Sequence, residues 1–382
     1  MTNSVFNIKI DFEKSHESYV YDKTTGREYL DFMGMFSSLP LGYNHPVFDA
    51  EFDKEIQRVS KVRTTNCEYL SDEAQQFEAE FKEFCGAGYS HFHYACTGAL
   101  AVEWACKAAF HYKKLHCYPT IIYQQHAFHG ISAYGNVCTD WNKNTASRFM
   151  YCNEEMRYAH FTNLTELKHD LIHDKRIAGI LVEPVRCSNG DLYNPPEFFE
   201  ELRLLADKYD VPLIFDEIQT GFCTTGKKWY WEHTGIEPDI VIFGKKAQVS
   251  GIMVKEKFAD IFKRPECMCI TYDGDLVDMV RCRYIMKAIQ DKNLLENIAL
   301  RGFRLKTLLK NTCEGIENIR GLAGLLAFDL TDRTKRDNFV LNLHKNGMIC
   351  NPTTEKTIRL RPNLAVGEKE IERAVEIIKS SL

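Results

Sequence analysis

Pro212-Leu213-Ile214-Phe215-Asp216-Glu217-Ile218-Gln219-Thr220-Gly221 starts as an apolar run and ends in two acids, an amide and a glycine. A short β-rich run without polar alternation reads as a parallel strand buried on both faces. Three other runs share its form: Thr120-Ile121-Ile122-Tyr123, Ala178-Gly179-Ile180-Leu181-Val182 and Ile240-Val241-Ile242-Phe243. Between the second and third of these four runs in chain order, Pro195 to Ala206 reads as a helix, with prolines at its start and carboxylates in its first turn. Strand, helix and strand in alternation imply an open α/β sheet with crossover helices.

Outward from this centre the character changes. Asp278 to Leu309 reads as one or two long helices, Gly324 to Phe328 as a strand, and Gly367 to Leu382 as a closing amphipathic helix. Tyr19 to Leu41 carries two strand-like pieces around the turn Thr24-Thr25-Gly26. The expected organisation is an N-terminal segment (1–45) packing with a small α+β domain (276–382), and a large domain (46–275). The 382 residues are 45% hydrophobic, enough for one large core and a smaller one. A net charge of -5 without a basic cluster argues against nucleic acid or an anionic membrane as partner. The start, Met1-Thr2-Asn3-Ser4, lacks the order of a secretion signal, and no apolar run is long enough to span a bilayer. Fourteen cysteines then read as reduced, mostly buried residues of a cytoplasmic protein. Cys267-Met268-Cys269 has no second pair near it, so no metal site is expected.

In an open parallel sheet, ligands bind beyond the carboxyl ends of the strands. The runs end in Glu183-Pro184, in Asp216-Glu217-Ile218-Gln219 and in Gly244-Lys245-Lys246. Upstream, Thr97-Gly98-Ala99 opens a helix, and Ala127-Phe128-His129-Gly130 comes after the first run. This set suits pyridoxal 5'-phosphate. A buried lysine amine is nucleophilic and condenses with an aldehyde. A buried carboxylate, Asp216, holds a pyridine nitrogen protonated, which makes the ring an electron sink. A helix start at Gly98 and Ala99 offers N–H groups to a phosphate, Phe128 can stack on the ring, and Gln219 can reach its hydroxyl. His126 and His129 read as loop or supporting residues.

The same residues resemble class III aminotransferases of PLP fold type I, from about Tyr19 to the C-terminus. Asp216 to Gly221, Pro238-Asp239-Ile240-Val241 and Gly244-Lys245 carry that resemblance. Within the family, Phe243-Gly244-Lys245-Lys246-Ala247-Gln248-Val249, Gly98 to Glu103, Asp278-Met279-Val280-Arg281 and Ile358-Arg359-Leu360-Arg361-Pro362 are similar to the lysine 6-aminotransferase subgroup. The resemblance implies transfer of an amino group from an amine or ω-amino acid, such as L-lysine, to an oxo acid such as 2-oxoglutarate. It implies Lys245 as the Schiff-base lysine, with Lys246 as its rival. It implies Asp216 at the ring nitrogen, Gln219 at the ring oxygen, Gly98 and Ala99 at the phosphate, and Glu183 beside the cofactor. Thr271 would complete the phosphate site of a neighbouring copy, so a homodimer is expected. Arg359 would clamp a carboxylate of the oxo acid.

Two substrate-side positions depart from the subgroup. Ser188 stands where a glutamate pairs with the clamp arginine, and Ile131 where an arginine holds the lysine α-carboxylate. Arg186 is a candidate replacement for the lost cation. Because of these changes a different reaction on the same scaffold, such as decarboxylation, cyclisation or racemisation, stays open as an alternative. A non-catalytic binding protein is a third reading, which the electron-sink residues argue against.

Overall fold

In the computed structural model, residues 6–65, 68–85, 88–115, 118–140 and 159–382 are described; the opening Met1-Thr2-Asn3-Ser4 lies outside them. Strands β1 (Tyr19–Asp22) and β2 (Arg27–Asp31) flank the turn Thr24-Thr25-Gly26, where Gly26 takes φ +70°. Next come helix α1 (Asp72–Cys85), strand β3 (His91–Ala95), helix α2 (Gly98–Lys113) and strand β4 (Thr120–Gln124). Strand β5 (Ala159–Phe161), helix α3 (Leu164–His173), strand β6 (Ile177–Val182) and helix α4 (Pro196–Lys208) come after them. Strands β7 (Leu213–Asp216), β8 (Ile240–Phe243) and β9 (Ser250–Val254) complete the middle of the chain. The last third holds helices α5 (Leu276–Asp291) and α6 (Leu294–Thr312), strands β10 (Glu317–Leu322) and β11 (Leu325–Asp329), and helix α7 (Arg333–Lys345). Strands β12 (Met348–Ile349), β13 (Asn351–Thr353) and β14 (Thr357–Leu360) then lead to helix α8 (Glu368–Ser381).

Two compact units arise from this order. One comprises Ile56–Phe222 and Trp229–Arg283; the other comprises Met1–Glu55, Cys223–Lys228 and Tyr284–Leu382. The first is built on a seven-stranded sheet in the order β3-β9-β8-β7-β6-β4-β5. Strands β8, β7, β6, β4 and β5 are parallel, while β9 runs antiparallel to both of its neighbours. Every residue of β4, β6, β7 and β8 is buried, which is why their sequences are mainly apolar runs, with polar residues only at the ends of β4 and β7, rather than alternating ones. Helix α2 covers the sheet with small residues; Ala101, Ala105, Ala108 and Ala109 share a core with Ile121, Ile214, Ile242 and Ile252. The approach is close enough that a methyl added at Gly179 of β6 would lie 3.2 Å from the Ala109 Cβ and 2.9 Å from the Ile121 Cδ1. Helix α4 begins at Pro196, where a missing N–H costs nothing because first-turn donors have no acceptor in the helix.

The second unit contains an antiparallel four-stranded sheet, β10-β11-β14-β13, and a three-stranded sheet, β1-β2-β12. In the latter, Leu30 of β2 pairs in parallel with Met348 of β12. Helix α6 lies against β10 and β11, and its Gly302 is required by that contact: an added Cβ would sit 2.1 Å from the Ala323 carbonyl oxygen. Asn297 of α6 also donates to the carbonyls of Leu364 (2.9 Å) and Val366 (3.1 Å), just before α8.

Candidate active site

The carboxyl ends of the parallel strands of the first unit enclose a cavity of about 210 Å³. Gly98, Ala99, Phe128, His129, Gly130, Glu183, Asp216, Ile218, Gln219 and Lys245 line it. Each arrives from a strand end. Asp216 is the last residue of β7, Glu183 comes directly after β6, Lys245 sits just past β8, and the Phe128-His129-Gly130 loop extends β4. Gly98 and Ala99 form the first turn of α2, just beyond β3.

Asp216 is 5% exposed and held from two sides. Its Oδ1 accepts the backbone N–H of Ile218 at 3.2 Å, and its Oδ2 accepts His129 Nδ1 at 2.8 Å. The His129 side chain is fully buried; its backbone N–H donates to Thr139 Oγ1 at 2.8 Å. Thr139 in turn donates to the carbonyls of Gly130 (2.8 Å) or Gly135 (2.9 Å), so the histidine loop is pinned from behind. Gly130 takes φ +104°, a region that side chains rarely adopt.

Glu183 is also buried. Its Oε1 accepts the Phe128 N–H at 2.7 Å, and its Oε2 accepts the Cys187 N–H at 3.3 Å. Burial, opposed by the charge of His129, pushes its acid up to about 7. Lys245 has φ +49°, unusual for a residue with a side chain, and the turn is closed by Gln248, whose backbone N–H reaches the Lys245 carbonyl at 2.8 Å. Lys246, by contrast, is 1% exposed and does not line the cavity.

At the start of α2, Thr97 Oγ1 accepts the Leu100 N–H at 3.3 Å. The N–H groups of Gly98 and Ala99 have no acceptor within the helix, and they stand at the positive end of its dipole. The donor set therefore fits pyridoxal phosphate: a helix start for the phosphate, an aromatic for the ring face, a braced carboxylate for the ring nitrogen, an amide and a lysine amine.

Seven of the eight positions expected at the cofactor thus meet in one cavity. The eighth, Thr271, lies on an exposed turn and does not line it. That turn is tied down by neighbours: the Cys96 thiol donates to the Tyr272 carbonyl at 2.7 Å, and Arg63 stacks 4.2 Å from the Tyr272 ring centre while pairing with Asp275 at 3.2 Å. Arg186 is half-buried and donates to the Gln125 carbonyl (3.1 Å) and to Asn194 Oδ1 (3.2 Å). Arg359 belongs to the second unit, where it is buried on β14 opposite Ala327 and Asn351. Three lining residues, His129, Gly130 and Ile218, were not among the expected cofactor contacts. For His129 the signal was available: a carboxylate buried after a strand needs a donor, and the residue after Phe128 is a histidine.

Among the described residues no group of three or more His, Cys, Asp or Glu is arranged to hold a metal ion. No described helix is long and apolar enough to cross a membrane.

Comparison with known proteins gives the same picture. The profile of the family described as Aminotransferase class-III matches residues 1–382. The L-lysine-epsilon aminotransferase of Mycobacterium tuberculosis is 32% identical over 412 residues, covering 98% of this chain and 92% of that protein. The acetylornithine aminotransferase of Archaeoglobus fulgidus is 28% identical over 375 residues, covering 97% and 95%. Among solved structures, a lysine aminotransferase from M. tuberculosis in the internal aldimine form superposes with a TM-score of 0.94 at 30% identity, covering 100% of this chain and 96% of that one. With the α/β core, the lysine, the braced acid and these relatives in agreement, the chain belongs to the class III aminotransferases, pyridoxal-phosphate-dependent transaminases of fold type I.

Proposed function

We propose that the amino donor is an amine or ω-amino acid such as L-lysine, that the acceptor is an oxo acid such as 2-oxoglutarate, and that Lys245 and Asp216 carry the catalysis. The observation that carries this reading is the meeting of Lys245, the Asp216–His129 pair, Phe128 and the α2 start in one cavity. Similarity to lysine and acetylornithine aminotransferases supports the donor class.

When bound, pyridoxal phosphate supplies an aldehyde that condenses with amines and a ring that takes up an electron pair from the substrate carbon. Lys245, which lines the cavity, would hold the cofactor through its Nζ and would serve as the base that moves a proton at the substrate carbon. Asp216, held in place by its 2.8 Å contact with His129 Nδ1, would pair with the ring nitrogen. Gly98 and Ala99 bind the phosphate through backbone N–H groups. Phe128 would stack on the ring, Gln219 would hold its hydroxyl, and Glu183 supports the site through its contact with the Phe128 N–H. Arg359 clamps the carboxylate of the oxo acid. Arg186 is a second carboxylate ligand; its Nε is buried with no partner among the described residues. Thr271 serves the phosphate of a second copy, which makes the working unit a homodimer; its exposure on the single chain supports this. The cytoplasm is the proposed compartment, and the eleven described cysteines, all free thiols, accord with it.

The test is the visible absorption spectrum of the purified protein as donors are added singly, with Lys245→Ala as control. The expected result is a band that one donor class bleaches and an oxo acid restores. A band indifferent to every amine would refute the donor assignment.

A further inference from the structure

Strands β4 and β6 run side by side, and their ladder ends at the pair Tyr123 and Leu181. Beyond it the two chains part: one becomes the loop of Phe128 and His129, the other turns at Glu183-Pro184 towards Cys187. Pro184 has no N–H to extend the ladder. The gap is spanned by side chains instead. Glu183 takes the Phe128 N–H on one oxygen (2.7 Å) and the Cys187 N–H on the other (3.3 Å). Arg186 adds a second tie from the same loop to the Gln125 carbonyl (3.1 Å).

We propose that Glu183 is a positioning residue: its carboxylate locks the loop that carries the stacking ring to the loop beyond β6, and so fixes two walls of the cavity against each other. The chemistry demands a carboxylate. Two N–H donors converge on one side chain, and only an acid offers an acceptor to each; glutamine offers one acceptor and turns an NH2 group towards the second donor. The group is also expensive to keep. It is buried close to Asp216, and burial raises its acid to about 7, so a carboxylate with no task here would be a burden. The kinetic part of this inference rests on the transaminase reading; the structural part does not.

Hydrogen exchange by mass spectrometry on the purified holoenzyme tests it, in wild type, Glu183→Gln and Glu183→Asp. In Glu183→Gln, amide exchange should accelerate at least tenfold at Phe128 or Cys187 and stay unchanged in α4 and α6. The visible circular dichroism of the bound cofactor should change, and kcat/KM should fall by roughly ten- to a hundredfold at unchanged cofactor content, since small displacements of a reacting group have effects of that size. Glu183→Asp keeps both acceptors and should recover part of each signal. If Glu183→Gln loses its cofactor, Glu183→Asp is read alone, and faster exchange confined to those two loops supports the lock. Wild-type exchange and dichroism in both variants would overturn it, whatever turnover does. Absence of a visible band in the wild type would count against the transaminase reading and leave the exchange result standing.

Discussion

Replacing His129 by phenylalanine keeps a flat ring in a fully buried position and removes the donor that Asp216 depends on. The bond is short, 2.8 Å, with the two side chains 0% and 5% exposed, so solvent screening is slight. Hydrogen bonds to charged groups contribute about 1.5–3 kcal/mol, and leaving a buried acceptor unpaired adds its desolvation cost. The Ile218 N–H at 3.2 Å remains, so part of the carboxylate's solvation survives. His129→Phe should therefore cost about 2–3 kcal/mol. Asp216→Asn on its own removes the charge and weakens the same bond. The double variant should then cost less than the sum of the singles by roughly 1.5 kcal/mol or more. The three described tryptophans, Trp104, Trp229 and Trp231, fall in the unit that contains the cavity, so their fluorescence during urea unfolding reports on that unit. A coupling below about 0.5 kcal/mol, the scatter expected of independent sites, would refute the claim that His129 braces Asp216.

Lys245→Ala should abolish turnover and the visible band, whereas Lys246→Met should keep the band; the reverse pattern in absorption spectra would exchange the two assignments. Glu217 is buried and accepts from the Tyr230 N–H (2.6 Å), the Trp231 N–H (3.0 Å) and Thr220 Oγ1 (3.1 Å), and burial raises its acid from 4.5 to about 7. A raised acid contributes fully below about pH 4.5 and loses that contribution as pH climbs through about 7, so wild type should lose up to about 3 kcal/mol relative to Glu217→Gln over that window, at 1.36 kcal/mol per unit; a pH-independent difference in urea midpoints would sink this. Gly302→Ala drives a Cβ to 2.1 Å from the Ala323 carbonyl and should cost about 1–3 kcal/mol by overpacking, read as a lower thermal midpoint. Arg359→Ala should raise KM for the oxo acid at least tenfold while leaving the half-reaction with an amine donor, monitored by absorbance, within about threefold of wild type; a roughly tenfold change amounts to 1.4 kcal/mol.

The buried parallel strands were legible because burial on both faces leaves a plain signal, an apolar run. The runs at 120–123, 178–182, 212–215 and 240–243 correspond to β4, β6, β7 and β8 within one residue or so. Helices α4 and α8 were legible from Pro195-Pro196 and from the spacing after Gly367. Strand β9 was not. Ser250-Gly251-Ile252-Met253-Val254 contains a glycine that weakens strand propensity, and the glycine is there because an added Cβ would stand 2.3 Å from the His93 carbonyl. The acid and the lysine of the cavity could be read from the residues immediately after the apolar runs, and the helix start from Thr97-Gly98-Ala99. The bracing of Asp216 by His129, and the two loops held by Glu183, depend on which strands lie side by side. Sequence order alone does not reveal that β4 neighbours β6 and β6 neighbours β7.

The parallel pairing of Leu30 with Met348 bears on how the chain matures. Beside that pairing, the Arg27 guanidinium donates to the Lys345 carbonyl at 2.8 Å, across 318 positions. On a ribosome adding about 5–20 residues per second, β2 emerges roughly 15–65 s before its partner exists. During that interval the β1–β2 hairpin has an open edge and buries little, since a lone hairpin is marginal in water. The sheet of the first unit, complete once β9 emerges, can close earlier. Synthesis thus leaves β1 and β2 waiting for β12, and a holdase that shields residues 19–31 should raise the yield of folded protein more than one acting on residues 120–254.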